Sequence, residues 1–355
     1  MKKAMCMTLA CVCLIVMCPS TATATKNSDG IDFVRISSIT DNATTFLNST
    51  GYENTLTPPV PMYNLNEEIE TLYYPLQPTG YLIASYKDGH IIEFSPETQR
   101  LVDTSGKLYY NGVMEYYKVA NNEQLIQILS NDIVGKGNLQ IAFDGTLLEQ
   151  IPALDYQLST STYGLEPNNP PPIAANCVEW EDNYQCTITG ITNLLQYYHD
   201  IMNVDVYASN VNSSTSLRKF LNQGEQGKGY IYGGGLYFNI AVNKHAYYDQ
   251  IYLGLRAYFN RSDVDTYTVN TYKSGDPSIS DVKIQLNTYA RPVLLSLNTS
   301  ALIPSRSDLH TVLAYSYMET ANTTYFIVND GWGGNYTYIC IDDINLPDLA
   351  ILYLS

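Results

Sequence analysis

Four apolar runs in the last third of the chain constrain the fold most. Pro292 to Leu297, His310 to Tyr315, Tyr325 to Asn329 and Tyr338 to Ile341 are short, rich in β-branched and aromatic residues, and separated by polar turn residues. Those are strand signals. Upstream, Cys186 opens a different pattern, in which Ile188, Ile191, Leu194, Leu195 and Tyr198 recur at the helical period. A helix first and a sheet later predict an α+β domain with segregated halves. The chain shows no internal repeat.

The first half reads as a second α+β unit. Ile31 to Leu47 predicts a helix, and a proline-rich passage follows through Pro58, Pro59 and Pro61. Gly80 to Tyr86 and Ile91 to Ser95 predict two strands of a hairpin turning at Lys87-Asp88-Gly89-His90. Asn121 to Asn131 predicts a helix, from the spacing of Leu125, Ile126, Ile128 and Leu129. His90 is read as a solvated turn residue. Ser, Thr, Asn and four prolines between Thr160 and Pro172 predict a linker open to proteolysis, with a domain boundary near residue 170.

The N-terminus resembles a secretory signal. Lys2-Lys3 form its charged region, Leu9 to Met17 its apolar core, and Ala22-Thr23-Ala24 its cleavage signature. The apolar run is too short to span a bilayer, and Met17 before Cys18 argues against a lipid anchor. Residues 1–24 are therefore expected to be a signal peptide, 25–170 a first domain with its linker, and 171–355 a second. A net charge of −16 leaves no basic face for nucleic acid. Of seven cysteines, only Cys177, Cys186 and Cys340 lie beyond the leader, too few for a disulfide framework. Cys177 can pair with Cys340, leaving Cys186 as an unpaired thiol. The expected setting is extracellular, with no integral membrane segment.

Cys186 sits where the free N–H groups and positive dipole end of a helix converge, an environment that favours thiolate and supports an oxyanion. A thiol nucleophile needs a base, and the base needs an orienting polar group. His199 lies thirteen residues along the same helix, about 20 Å away, and is excluded. His245 resembles a surface residue. His310 opens an apolar strand, and the next strand runs into Asn329-Asp330-Gly331-Trp332-Gly333-Gly334. Antiparallel pairing of those strands would bring His310 beside Asn329 or Asp330. The glycine-rich passage from Gly224 to Gly235 lacks the ending of a phosphate loop.

The order Cys, His, then Asn or Asp ahead of Trp-Gly resembles that of papain-like cysteine peptidases, and most closely the streptopain family. Cys186 to His199 resembles that family's nucleophile helix, Arg291 to Leu295 the strand before its histidine, and Val328 to Gly334 its Val-Asn-x-Gly-Trp-Gly-Gly signature. The first half resembles its propeptide. The resemblance implies a papain-like fold behind a propeptide domain that covers the cleft until it is cleaved. The implied product is a secreted endopeptidase made as a zymogen, without cofactor or metal, acting on protein or peptide substrates.

Three positions depart from the pattern. The plant and lysosomal branch has a glutamine where this chain has Trp180, and the streptopain oxyanion glutamine is replaced by Ser296. Asn298 or Gln185 can substitute as donors; loss of one such donor costs on the order of 3 kcal/mol. The orienting residue is Asn329 by the streptopain count and Asp330 counting back from Trp332. Trp332 is expected to shield the histidine's partner. Two other readings share these residues: a Cys-His amidase or transferase acting on cell wall, and a papain-fold binding protein with little or no activity.

Overall fold

The computed structural model describes residues 32–98, 101, 104–122, 124–129, 133–135, 148, 150–154, 156, 163–164, 186–223, 254–265, 267–272, 278–298, 309–334, 336–343 and 350–355. The leader, Cys177, Trp180, Gln185, His245 and the glycine-rich passage lie outside them.

Helix α1 spans Phe33–Thr50. The Asp32 side chain caps it by accepting from the N–H groups of Val34 and Arg35, and Gly51 ends it at φ 76°. Its many β-branched residues are poor helix formers. Thr40, Thr44 and Thr45 direct their hydroxyls onto carbonyls four residues back, which satisfies them within the helix. Ile39, Ala43 and Phe46 form its buried stripe. Asn42, in an Asn-x-Thr triplet, is buried and spans both ways, to the Pro152 carbonyl at 2.9 Å and the Leu154 N–H at 3.1 Å.

Strands follow: β1 Thr55–Leu56, β2 Val60–Tyr63, β3 Ile69–Gln77, β4 Tyr81–Ser85, β5 Ile91–Ser95, β6 Leu108–Tyr110, β7 Tyr116–Asn121, β8 Gln124–Gln127 and β9 Ile133–Gly135. The predicted hairpin is β4–β5, paired from Tyr81 opposite Ser95 to Ala84 opposite Ile91. The predicted helix from Asn121 to Asn131 is absent. In its place β7 pairs antiparallel with β8, Tyr117 opposite Gln127 and Val119 opposite Leu125. Leu125 is fully buried beside exposed Gln124, the alternation of a strand.

The second half contains β10 Tyr163–Gly164, α2 Cys186–Asp200, α3 Ser214–Gln223, a helical stretch over 254–259, and β11 Val269–Tyr272. Helix α4 Ile279–Lys283 then opens with a Ser278–Asp281 capping box. The strands β12 Val293–Asn298, β13 Leu309–Glu319, β14 Thr324–Asn329 and β15 Thr337–Cys340 fall close to the four predicted runs, and β16 Ala350–Leu354 is a further strand that no predicted run covered. The expected linker is not purely irregular, because Tyr163 and Gly164 pair with Tyr317 and Ser316 of β13.

Among the described residues the strands form one 16-stranded sheet, its main path ordered β11-β16-β12-β13-β14-β15-β5-β4-β3-β2-β6-β7-β8-β9. The architecture is α+β, with a large sheet and few helices. The halves of the chain join at β15 and β5, where Tyr338 stands opposite Phe94 and Ile339 opposite Glu93. Side chains of alternating strand residues feed two cores. One packs α1 and α2 on Leu72, Tyr74, Phe94, Leu313 and Tyr315, and the other gathers Tyr81, Tyr116, Leu295, Val312, Val328 and Leu286. No helix among the described residues is long and apolar enough to cross a membrane.

Candidate active site

Helix α2 starts at Cys186 and lies on the sheet with Ile188, Ile191, Leu194 and Leu195 wholly buried. Gly190 sets how close it lies. A Cβ there would stand 2.6 Å from Leu294 Cδ1 on β12 and 3.4 Å from Thr311 Cγ2 on β13, so a larger residue would have to displace the Leu294 side chain or the helix. Three polar ties fix its position along the sheet. Thr187 and Thr311 share a hydroxyl–hydroxyl hydrogen bond of 3.0 Å, Asn193 Nδ2 donates to Asn329 Oδ1 at 3.0 Å, and Tyr198 donates to the Leu354 carbonyl at 2.9 Å.

These ties bring the nominated segments together. Thr187 follows Cys186 and Thr311 follows His310, so the start of α2 meets β13 at the position next to its histidine. In the register of β12 and β13, His310 stands opposite Leu297 and Thr311 opposite Ser296. The strand after β13 returns Asn329 to a place opposite Leu313. His199, by contrast, is at the far end of α2, stacked on Tyr207 with ring centroids 4.0 Å apart and bonded to Asp200.

Asn329 and Asp330 are both buried and hold the turn after β14 in different ways. Asn329 Oδ1 accepts from Asn193 Nδ2 and from the Gly331 N–H at 3.1 Å. A carbonyl oxygen has two lone pairs, and those donors match both. Asp330 accepts from the N–H groups of Trp332 at 2.7 Å and Gly334 at 3.1 Å, and from the Thr337 hydroxyl at 2.7 Å. A carboxylate accommodates about four donors. Gly331 and Gly333 take φ of 74° and 94°, which explains both glycines of this turn. Trp332 is partly buried against the core on the β12–β13 face that carries Leu297 and Val312.

The fold also builds a cluster that the sequence reading missed. His90 is not a solvated turn residue: its Nδ1 lies 2.5 Å from Asp88 Oδ1 and its Nε2 2.9 Å from Asp343 Oδ2. Burial alone would lower its pKa, but Asp343 and then Asp88 outweigh that and raise it to about 10. Cys340 beside it is a buried free thiol, so the possible Cys177–Cys340 disulfide is not formed. Burial, reinforced by Asp343, pushes that thiol well above its ordinary range. Asp343 lies 253 positions from His90, which is why no local signal announced the pair.

No protein-family model matches the chain, and no curated protein matches it. Among solved structures it is similar to a fragment of prointerpain A from Prevotella intermedia carrying a cysteine-to-alanine substitution. The TM-score is 0.39 at 12% identity, over 84% of this chain and 98% of that one.

Proposed function

We propose that the protein is a papain-like cysteine peptidase, secreted and made as a zymogen. Cys186 attacks the scissile carbonyl, and His310 takes its proton and returns it to the leaving amine. The observation that carries this reading is the Thr187–Thr311 hydrogen bond, which ties together the two residues following the nucleophile and the base. Cys186 also occupies the first position of its helix, where backbone N–H groups support a thiolate and an oxyanion.

Asp330 orients His310 in this reading. An orienting group must accept from the imidazolium, and both lone pairs of Asn329 Oδ1 already meet N–H donors. Asn329 then serves as the link between α2 and β14. Oxyanion support comes from the Cys186 N–H, with Gln185 and Ser296 as candidate second donors. The substrate is a protein or peptide, and the N-terminal half acts as the propeptide, removed by a cut in the 160–172 stretch.

The test is labelling of the full-length protein with an iodoacetamide-type thiol probe near neutral pH, alongside casein hydrolysis. Rapid modification of Cys186 that is lost in His310→Ala, with casein cleavage lost in Cys186→Ala, is expected. Cleavage of purified peptidoglycan but not casein would assign the cell-wall amidase or transferase reading instead. Slow labelling that is indifferent to His310→Ala would leave a binding protein. A mass spectrum of the exported protein locates the cut.

A further inference from the structure

The seam between the two halves of the sheet carries a side-chain cluster outside the peptidase residues. Because β5 pairs with β15, the turn before β5 lies beside the end of β15 and the 3-10 turn Ile341–Asp343. One ligand atom each from His90, Cys340 and Asp343 lies within 4.8 Å of the others. His90 Nε2 is 3.1 and 2.9 Å from the two carboxylate oxygens of Asp343. The Cys340 side chain is fully buried, and that of Asp343 is only 4% exposed.

Two features suit this cluster to a metal ion. First, Asp88 holds His90 Nδ1 at 2.5 Å, the carboxylate–histidine arrangement that turns the other ring nitrogen toward a metal. A neutral ring protonated on Nδ1 would face the anionic oxygens of Asp343 with a bare lone pair. A positive charge must lie between them, either a proton or a metal ion. Second, the donors are an imidazole nitrogen, a thiol sulfur and a carboxylate oxygen, a set that favours zinc over calcium or magnesium. Two bonds of about 2.0 Å at the tetrahedral angle separate donor atoms by about 3.3 Å. The His90–Asp343 contact reaches that by opening a few tenths of an ångström.

We propose that His90 Nε2, Cys340 Sγ and one Asp343 oxygen bind a zinc ion that joins the N-terminal and C-terminal halves of the sheet. Water completes the tetrahedron. Binding displaces the Nε2 proton and the Cys340 thiol proton, so both leave to solvent as zinc enters. The site does not depend on Cys186 or on the peptidase reading, and either can fail alone.

The experiment is zinc titration of the metal-stripped full-length protein by calorimetry near neutral pH, repeated with Co²⁺ as a spectroscopic probe. One equivalent of zinc is expected to bind, with proton release, and to raise the unfolding midpoint. Co²⁺ should give a thiolate-to-metal charge-transfer band. Cys340→Ser should abolish that band, and His90→Ala or Asp343→Asn should weaken zinc binding by about a hundredfold. Cys186→Ala and Cys177→Ser should leave both intact. Asp343→Asn keeps the shape of its side chain and serves if Cys340→Ser does not fold. The proposal is overturned if zinc does not saturate, or if the band follows Cys177 or Cys186. It is also overturned if binding survives all three substitutions in the cluster; an imidazolium alone would then bridge Asp88 and Asp343.

Discussion

The hydroxyls of Thr187 and Thr311 meet at 3.0 Å in the buried seam between α2 and β13, one residue beyond Cys186 and one beyond His310. Removing Thr187 takes from the buried Thr311 hydroxyl its bond across the seam, a loss of about 1–3 kcal/mol, and removing Thr311 breaks the same bond from the other side, whereas removing both costs less than the two losses together. Thr187→Val and Thr311→Val should therefore each destabilise the protein, and the double variant should lose less than their sum. Urea unfolding of the four proteins in a double-mutant cycle measures the difference.

Gly190 tests the fit of the same helix. Alanine gains about 1 kcal/mol of helix propensity but forces its Cβ to 2.6 Å from Leu294 Cδ1, and overpacking a filled core costs about 1–3 kcal/mol. A net loss of about 1 kcal/mol is expected for Gly190→Ala. In a Leu294→Val background, where that methyl is gone, the same change should become neutral or stabilising. Unequal shifts in the two backgrounds show that the close approach, not the backbone, sets the cost.

Glu93 is a buried carboxylate on β5. It accepts from Tyr81 at 3.2 Å, Tyr110 at 3.2 Å and the Met114 N–H at 2.8 Å, and also from the Tyr116 hydroxyl. Glu93→Leu would strand all of those donors in the core. A loss of at least about 3 kcal/mol is expected, measured by thermal or urea unfolding. Replacing Glu93 together with Tyr110 and Tyr116 by apolar residues should recover part of it.

Glu70 gives the pH dependence. Burial raises its pKa from 4.5 to about 7, against the opposing hydrogen bond from Asn64. The folded state thus binds this proton more tightly than the unfolded chain. Its contribution to stability is complete below pH 4.5 and is lost as pH rises through about 7. Glu70→Gln should flatten that segment of the stability–pH curve and leave the protein more stable than wild type above pH 7. An unchanged curve would place the charged carboxylate in contact with solvent.

Much of this was legible in the sequence because the signals were local. The β4–β5 hairpin followed from two apolar runs about a turn, and α2 from five apolar residues at helical spacing. The segment after Asn121 was misread because Leu125, Ile126, Ile128 and Leu129 fit a helix over one turn. Such short apolar runs do not distinguish the two periods. The adjacent Asn121-Asn122 pair was the better guide, since asparagine tolerates the backbone of a tight hairpin turn. Asn329 and Asp330 lie where β14 ends and its turn begins, and the sequence held no sign that Asn193 would occupy one of them. The cluster of His90 with Cys340 and Asp343 was invisible for a related reason: its members meet only through the pairing of β5 with β15.

That pairing has a consequence for the fate of the two halves. While β5 is in place, β15 is an interior strand with hydrogen-bonded neighbours on both sides. Cutting the chain between the halves removes none of those bonds. If the N-terminal half does leave, β15 becomes an open rim, and its exposed N–H and C=O groups offer a template to any extended peptide. A liberated C-terminal half would be adhesive along that rim, prone to recapture its own N-terminal half or to align with a second copy of itself.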